Sequence, residues 1–188
     1  MKTSTKEVTP WRDIVIYTSG PPPINLNAPI GMYQITDPAY ALMRERRSVT
    51  YPAHANHAIA LTLLSPRDFG LTAGATTHEW LSPEFMKEWS LTHLMDQEVF
   101  LTEPEDTFWL CRSFLDQPKR EVLTMGIKPL TDAKRDQWIF EVKRLATDEL
   151  AAHVEIRDHC WCTVYFPTIP PTFLDSKFIF RLVEREKK

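Results

Sequence analysis

The chain carries fifteen prolines against only five glycines, and that imbalance limits what it can fold into more than any other property. Proline fixes φ and removes a ladder donor, so it keeps to turns, strand edges and connections. Glycine is what lets backbone N–H groups approach a phosphate closely. Gly20, Gly31, Gly70, Gly74 and Gly126 never fall into G-x-G-x-x-G or G-x-x-x-x-G-K-[ST] spacing, which argues against a dinucleotide fold or a P-loop enzyme. The expectation is a set of short elements joined by rigid, proline-rich loops.

At 188 residues and 21.9 kDa the chain suits one domain with an ordinary core. The expected boundaries are a flexible tail over residues 1–12, a single domain over 13–184 and a charged tail over 185–188. The longest apolar run, residues 58–64, is far short of the roughly 20 residues a membrane span needs. The N-terminus lacks the apolar stretch of a secretory signal. Cys111, Cys160 and Cys162 are an odd number of thiols with no disulfide spacing, so a cytoplasmic location with reduced cysteines is expected. A net charge of −3 gives no broad electrostatic footprint for nucleic acid or an anionic membrane.

Residues 13–19 have strand composition and end at Gly20 and three prolines. Asp37-Pro38 signals a helix start, with Arg44, Arg46 and Arg47 near the helix's C-terminal end, where cations meet the dipole favourably. Residues 57–64 read as a buried strand stopped by Ser65-Pro66. Ser82-Pro83-Glu84 starts a helix with Phe85, Trp89, Leu91 and Met95 toward the core. Glu103-Pro104 starts another, carrying Phe108, Trp109, Cys111 and Leu115. Residues 120–128 read as a strand. The apolar spacing of Trp138, Ile139, Val142, Leu145, Ala146 and Leu150 predicts a long helix over about 131–150. Residues 159–166 and 178–183 read as strands, the second pairing in a hairpin with the segment before it. The predicted fold is a single α+β domain whose mixed or antiparallel sheet of about five strands is covered mainly on one face by three or four helices.

Strand alternation over 159–166 puts Cys160 and Cys162 on one apolar face and His159, Trp161 and Tyr165 on the other. The second set is the expected binding surface, with Arg44, Arg46 and Arg47 as an accessory cationic group. Trp and Tyr favour such surfaces because they bury large areas at low entropic cost. Metal chemistry would draw on His54, His57, His153 and His159, with Glu155 or Asp158 as general base, and would imply zinc or another divalent metal. Glu141-Val142-Lys143, after three apolar residues, matches the E-x-K element of metal-dependent nucleases. That element must be a strand for its Glu and Lys to share a face. Helical periodicity over the same residues sets it aside. His78-Glu79 lacks the second histidine of a zincin helix, and no G-x-S-x-G elbow is present.

With no short catalytic motif, the sequence points to a non-enzymatic protein–protein interaction or assembly module, such as a complex subunit or inhibitor-type protein. It would use an aromatic and proline-rich surface toward a protein partner or a second copy, without cofactor and without membrane. The alternatives are a metal-dependent hydrolase built on the histidines and a module for single-stranded nucleic acid. The third is the less favoured because Trp161 and Tyr165 lack a basic surround.

Overall fold

The run His57–Leu64 holds eight residues, six of them apolar, with no proline, and Ser65-Pro66 forbids its continuation. It forms β3, antiparallel to both its neighbours, β1 (Arg12–Ile16) and β9 (Phe178–Glu184). The structure, a computed structural model, describes residues 7–16, 33–35, 57–74, 80–113, 117–118, 121–131, 137–143, 152–158 and 171–185. The remaining strands are β2 (Tyr33–Ile35), β4 (Gln97–Phe100), β5 (Val122–Met125), β6 (Leu130–Thr131), β7 (Gln137–Lys143) and β8 (Ala152–Asp158). The main path runs β1-β3-β9-β5-β7-β8-β2, with β4 added to β9 and β6 to β7. β5/β9 and β2/β8 are parallel and the other pairs antiparallel. The result is a mixed sheet curled into a half-barrel, an α+β fold that is mostly β.

Two α-helices lie among the described residues, α1 (Pro83–His93) and α2 (Asp106–Ser113). Ser82 caps α1 as expected, its hydroxyl accepting from Phe85 N, with Pro83 at the first helical position. α2 begins at Asp106 rather than at Glu103, and Asp106 Oδ2 accepts from Glu103 N at 2.9 Å. The helices serve opposite faces. Phe69, in the 3₁₀ turn Pro66–Phe69, touches both Trp89 of α1 and Phe180 of β9, and Trp80 stacks edge-on to Phe178. α2 reaches the sheet through Asp106 and Arg181, one residue on from Phe180 and so on the other side of the pleat. This corrects the expectation of three or four helices mainly on one face. A sheet that is apolar on both sides needs cover on both.

Three further expectations change. Residues 137–143 are strand, not helix, because Ile139, Phe140 and Val142 are all buried between two layers. Leu91 and Met95 do not face the core. The inward side of α1 is Met86, Trp89 and Ser90, and Leu91, two residues past Trp89, is turned about 200° from it. β9 forms no hairpin with the segment before it, since β3 takes one edge and β4 and β5 the other. The predicted strand at 159–166 and helix after Asp37 lie outside the described residues.

β4 ends the sheet beside β9, and a bare edge there would invite another strand. α1 closes it: Val99 N donates to the hydroxyl of fully buried Ser90 at 2.9 Å. Gln97 adds a second closure, its amide both accepting from Val8 N at 3.0 Å and donating to Val8 O at 2.9 Å. Ser90→Ala removes the acceptor and leaves Val99 N buried without a partner, so unfolding free energy should fall by about 1–3 kcal/mol. Urea denaturation of the variant beside wild type measures it.

Candidate functional site

The register fixes which residues share a face. Leu64, Thr62 and Ala60 of β3 pair with Phe178, Phe180 and Leu182 of β9. Phe178 pairs with Thr124 of β5, Thr124 with Glu141 of β7, and Glu141 with Glu155 of β8. On this first face the next row is Val122, Lys143, His153 and Gln34. The opposite face carries Leu61, Ile179, Arg181, Met125, Leu123, Val142 and Phe140.

Glu141 and Lys143 therefore occupy alternate positions of a strand and share a face, the geometry the sequence reading had denied them. Glu155 stands directly opposite Glu141, and Ile139 opposite Arg157. Burial grades along the face. Val122 is 44% exposed, while Thr124 and Glu141, one row further in, are 4% and 5% exposed.

Of the predicted histidine set, His57 and His153 lie on described strands, and the sheet does not bring these two together. His57 opens β3 opposite Ile16, on the face of Leu61, whereas His153 lies opposite Lys143 on the face of Glu141. They occupy opposite faces with β9, β5 and β7 between their strands. Asp158 ends β8 opposite Trp138, on the face away from Glu155. His54, His159, Trp161, Tyr165, Arg44, Arg46 and Arg47 lie outside the described residues. Among the described residues no three His, Cys, Asp or Glu form a metal-binding group, and no helix is long and apolar enough to cross a membrane.

Two charged groups on the other face are set by burial. Arg181 holds Asp106 bidentately, Nε to Oδ2 at 2.6 Å and the terminal nitrogen to Oδ1 at 2.8 Å. Burial alone would lower the Arg181 pKa, but the Asp106 hydrogen bonds and the charges of Asp106, Glu103 and Glu105 outweigh it and raise the value. The pair joins α2 to β9. Removing Arg181 would strand the buried Asp106 carboxylate, a loss of about 3–5 kcal/mol.

Glu121 precedes β5 with one carboxylate oxygen, Oε2, buried and without a hydrogen-bond partner. Burial raises its pKa, against the opposing effects of a Gln117 hydrogen bond and the Arg12 charge. Gln117 is itself fully buried and ties this corner to β7, donating to Val142 O at 3.0 Å and Glu121 O at 3.2 Å.

Other exposed apolar residues were missed in part because Leu91 and Met95 were assigned inward. Leu91 and Met95 are 60% and 68% exposed on α1 and the turn after it. Phe100 on β4 and Val183 on β9 are 41% and 45% exposed. Glu98 pairs with Val183 and Phe100 with Arg181, so Phe100 and Val183 lie on the Arg181 face of the β4/β9 pair, away from α1. No known protein family matches the chain, and no curated protein or solved structure matches it either.

The Glu121 shift fixes a pH dependence. A carboxyl whose folded pKa is raised contributes stability that is complete below its unfolded pKa and is lost as pH rises through the folded one. Glu121→Gln removes that loss. The variant should gain stability relative to wild type as pH rises above about 4.3, the ordinary glutamate value. Urea melts across a pH series check this, and a pH-independent difference contradicts it.

Proposed function

We propose that the chain is a non-enzymatic protein–protein interaction or assembly module, with self-association as its simplest form. The observation that carries the reading is the exposure of Leu91 and Met95, four residues apart at the end of α1. Single exposed apolar residues are ordinary, but two large ones four positions apart at the end of one helix are what an interface offers. The closed β4 edge supports side-chain docking rather than strand addition, since Ser90 already satisfies Val99 N. His159, Trp161 and Tyr165, with Arg44, Arg46 and Arg47, stay in the proposal as a second surface for substitution.

A histidine-based hydrolase has less support, because His57 and His153 fall on opposite faces of the sheet. No observation among the described residues favours single-stranded nucleic acid. The chain should form oligomers at micromolar concentration, and a Leu91→Lys/Met95→Lys double variant should weaken association about tenfold or more, on the order of 1.4 kcal/mol. Sedimentation equilibrium reads this, with circular dichroism showing an unchanged fold. A monomeric wild type, or a double variant that associates equally well, refutes self-association through this surface.

A further inference from the structure

We infer that residues 7–9 form an exchangeable arm, and that the cleft holding them takes the same segment of a second copy when two chains associate. The inference rests on the proposed self-association through Leu91 and Met95 and names what passes between the copies. The arm is held through side chains rather than by a strand ladder. The Gln97 amide accepts from Val8 N at 3.0 Å and donates to Val8 O at 2.9 Å. The Thr62 hydroxyl donates to Thr9 O at 3.0 Å. Only Val8 is inserted, at 3% exposure, while Glu7, Thr9 and Pro10 around it are exposed.

The cleft does not depend on the arm for its shape. Thr62 is fixed by its pairing with Phe180 and Gln97 by its pairing with Glu184, so both clamps belong to the ladders of β9. They lie 53 and 89 positions along the chain from the residues they hold. The attachment changes character at Pro10. Beyond it, Trp11 N donates to Leu61 O at 2.7 Å and β1 begins. Proline holds φ at about −65°, offers no N–H, and biases the preceding residue, Thr9, toward extended backbone. Pro10 is therefore a stiff link without a backbone donor, about which the arm can leave while β1 stays paired.

Position relative to Met95 selects the occupant. The turn from Leu94 to Gln97 carries exposed Met95 and ends at the clamp for Val8. Arg185 fixes this turn, its backbone N–H donating to Asp96 O and its guanidinium to Leu94 O and Met95 O. Arm and cleft thus adjoin the surface proposed for association. Two-fold association sets the same patch of both copies face to face, which brings each arm beside the other's cleft. Exchange then preserves every bond, because the clamp and the inserted valine are identical in either copy. Within the associated pair the docking is intramolecular, and the contacts of the new interface drive it.

The test uses the full wild-type chain. Equal amounts of ¹⁵N-labelled and ¹³C-labelled protein are mixed at a concentration where sedimentation shows association, and isotope-filtered nuclear Overhauser spectra record contacts between copies alone. Contacts from the Val8 amide of one copy to the Gln97 side-chain protons of the other are expected. Association without them overturns exchange and leaves self-association through Leu91 and Met95 standing, whereas a monomer overturns both. A pair of full-length variants adds a second readout. Val8→Asp keeps the cleft but spoils the arm, and Gln97→Leu keeps the arm but spoils the cleft. Mixed, the two should associate about tenfold more tightly than either does alone, through the two restored Gln97 hydrogen bonds. A mixture no tighter than its components by sedimentation equilibrium overturns exchange. If Val8→Asp fails to fold, the labelled wild type decides alone.

Discussion

β9 is bonded along both edges by three strands and packed on both faces, and it joins the two halves of the sheet. β3 lies along one edge, while β4 and β5 divide the other end to end. Phe178, Phe180 and Leu182 point into the layer under Phe69, Trp80 and α1, and Ile179 and Arg181 point the other way. At Gly126 the chain passes so close to β9 that a Cβ would lie 2.8 Å from Ile179 O and nearer still to the Phe180 ring. Gly126 N donates to Ile179 O and Thr102 N to Gly126 O, so this crossing joins β9, β5 and the chain after β4. A side chain there would have to displace backbone, which is why glycine is required in a chain otherwise poor in it.

From β9 the charge distribution follows. Arg181 lies on the α2 face, where Asp106 receives it bidentately. Phe178 begins the row that passes through Thr124 and Glu141 to Glu155. Moving away from β9 along that row, the residues change from aromatic to hydroxyl to carboxylate. The half of the sheet around β9 is a structural core on both faces, and the chemistry-bearing residues gather on one face of β7 and β8. The exposed apolar residues lie toward the other end of β9, on α1, β4 and β9 itself.

How much of this was legible in sequence depended on how many faces each element buries. β3 could be read because its unbroken apolar run stops at Ser65-Pro66, and α1 because Ser82-Pro83 announces a helix in local chemistry alone. β7 could not. Its flanks bury residues on both sides, so alternation disappears, and Trp138, Ile139 and Val142 fall by coincidence on helical spacing with Leu145 and Ala146. β8 did carry a signal, since Val154 and Ile156 alternate with His153, Glu155 and Arg157, but the richer composition after His159 drew the strand assignment away from it. The Glu141–Glu155 opposition was out of reach, because register between two strands is set by tertiary packing and by the length of the chain joining them.

The account rests most heavily on residues 137–143 being a strand paired with β8, since the shared face of Glu141, Lys143 and Glu155 exists only in that register. Solution NMR of isotopically labelled protein tests this directly through nuclear Overhauser contacts across the pair. Cross-strand Hα and amide contacts linking Phe140 with Ile156 and Val142 with Val154 are predicted. Amide contacts between successive residues, with Hα contacts three positions ahead from Gln137 onward, would mark a helix and contradict the account.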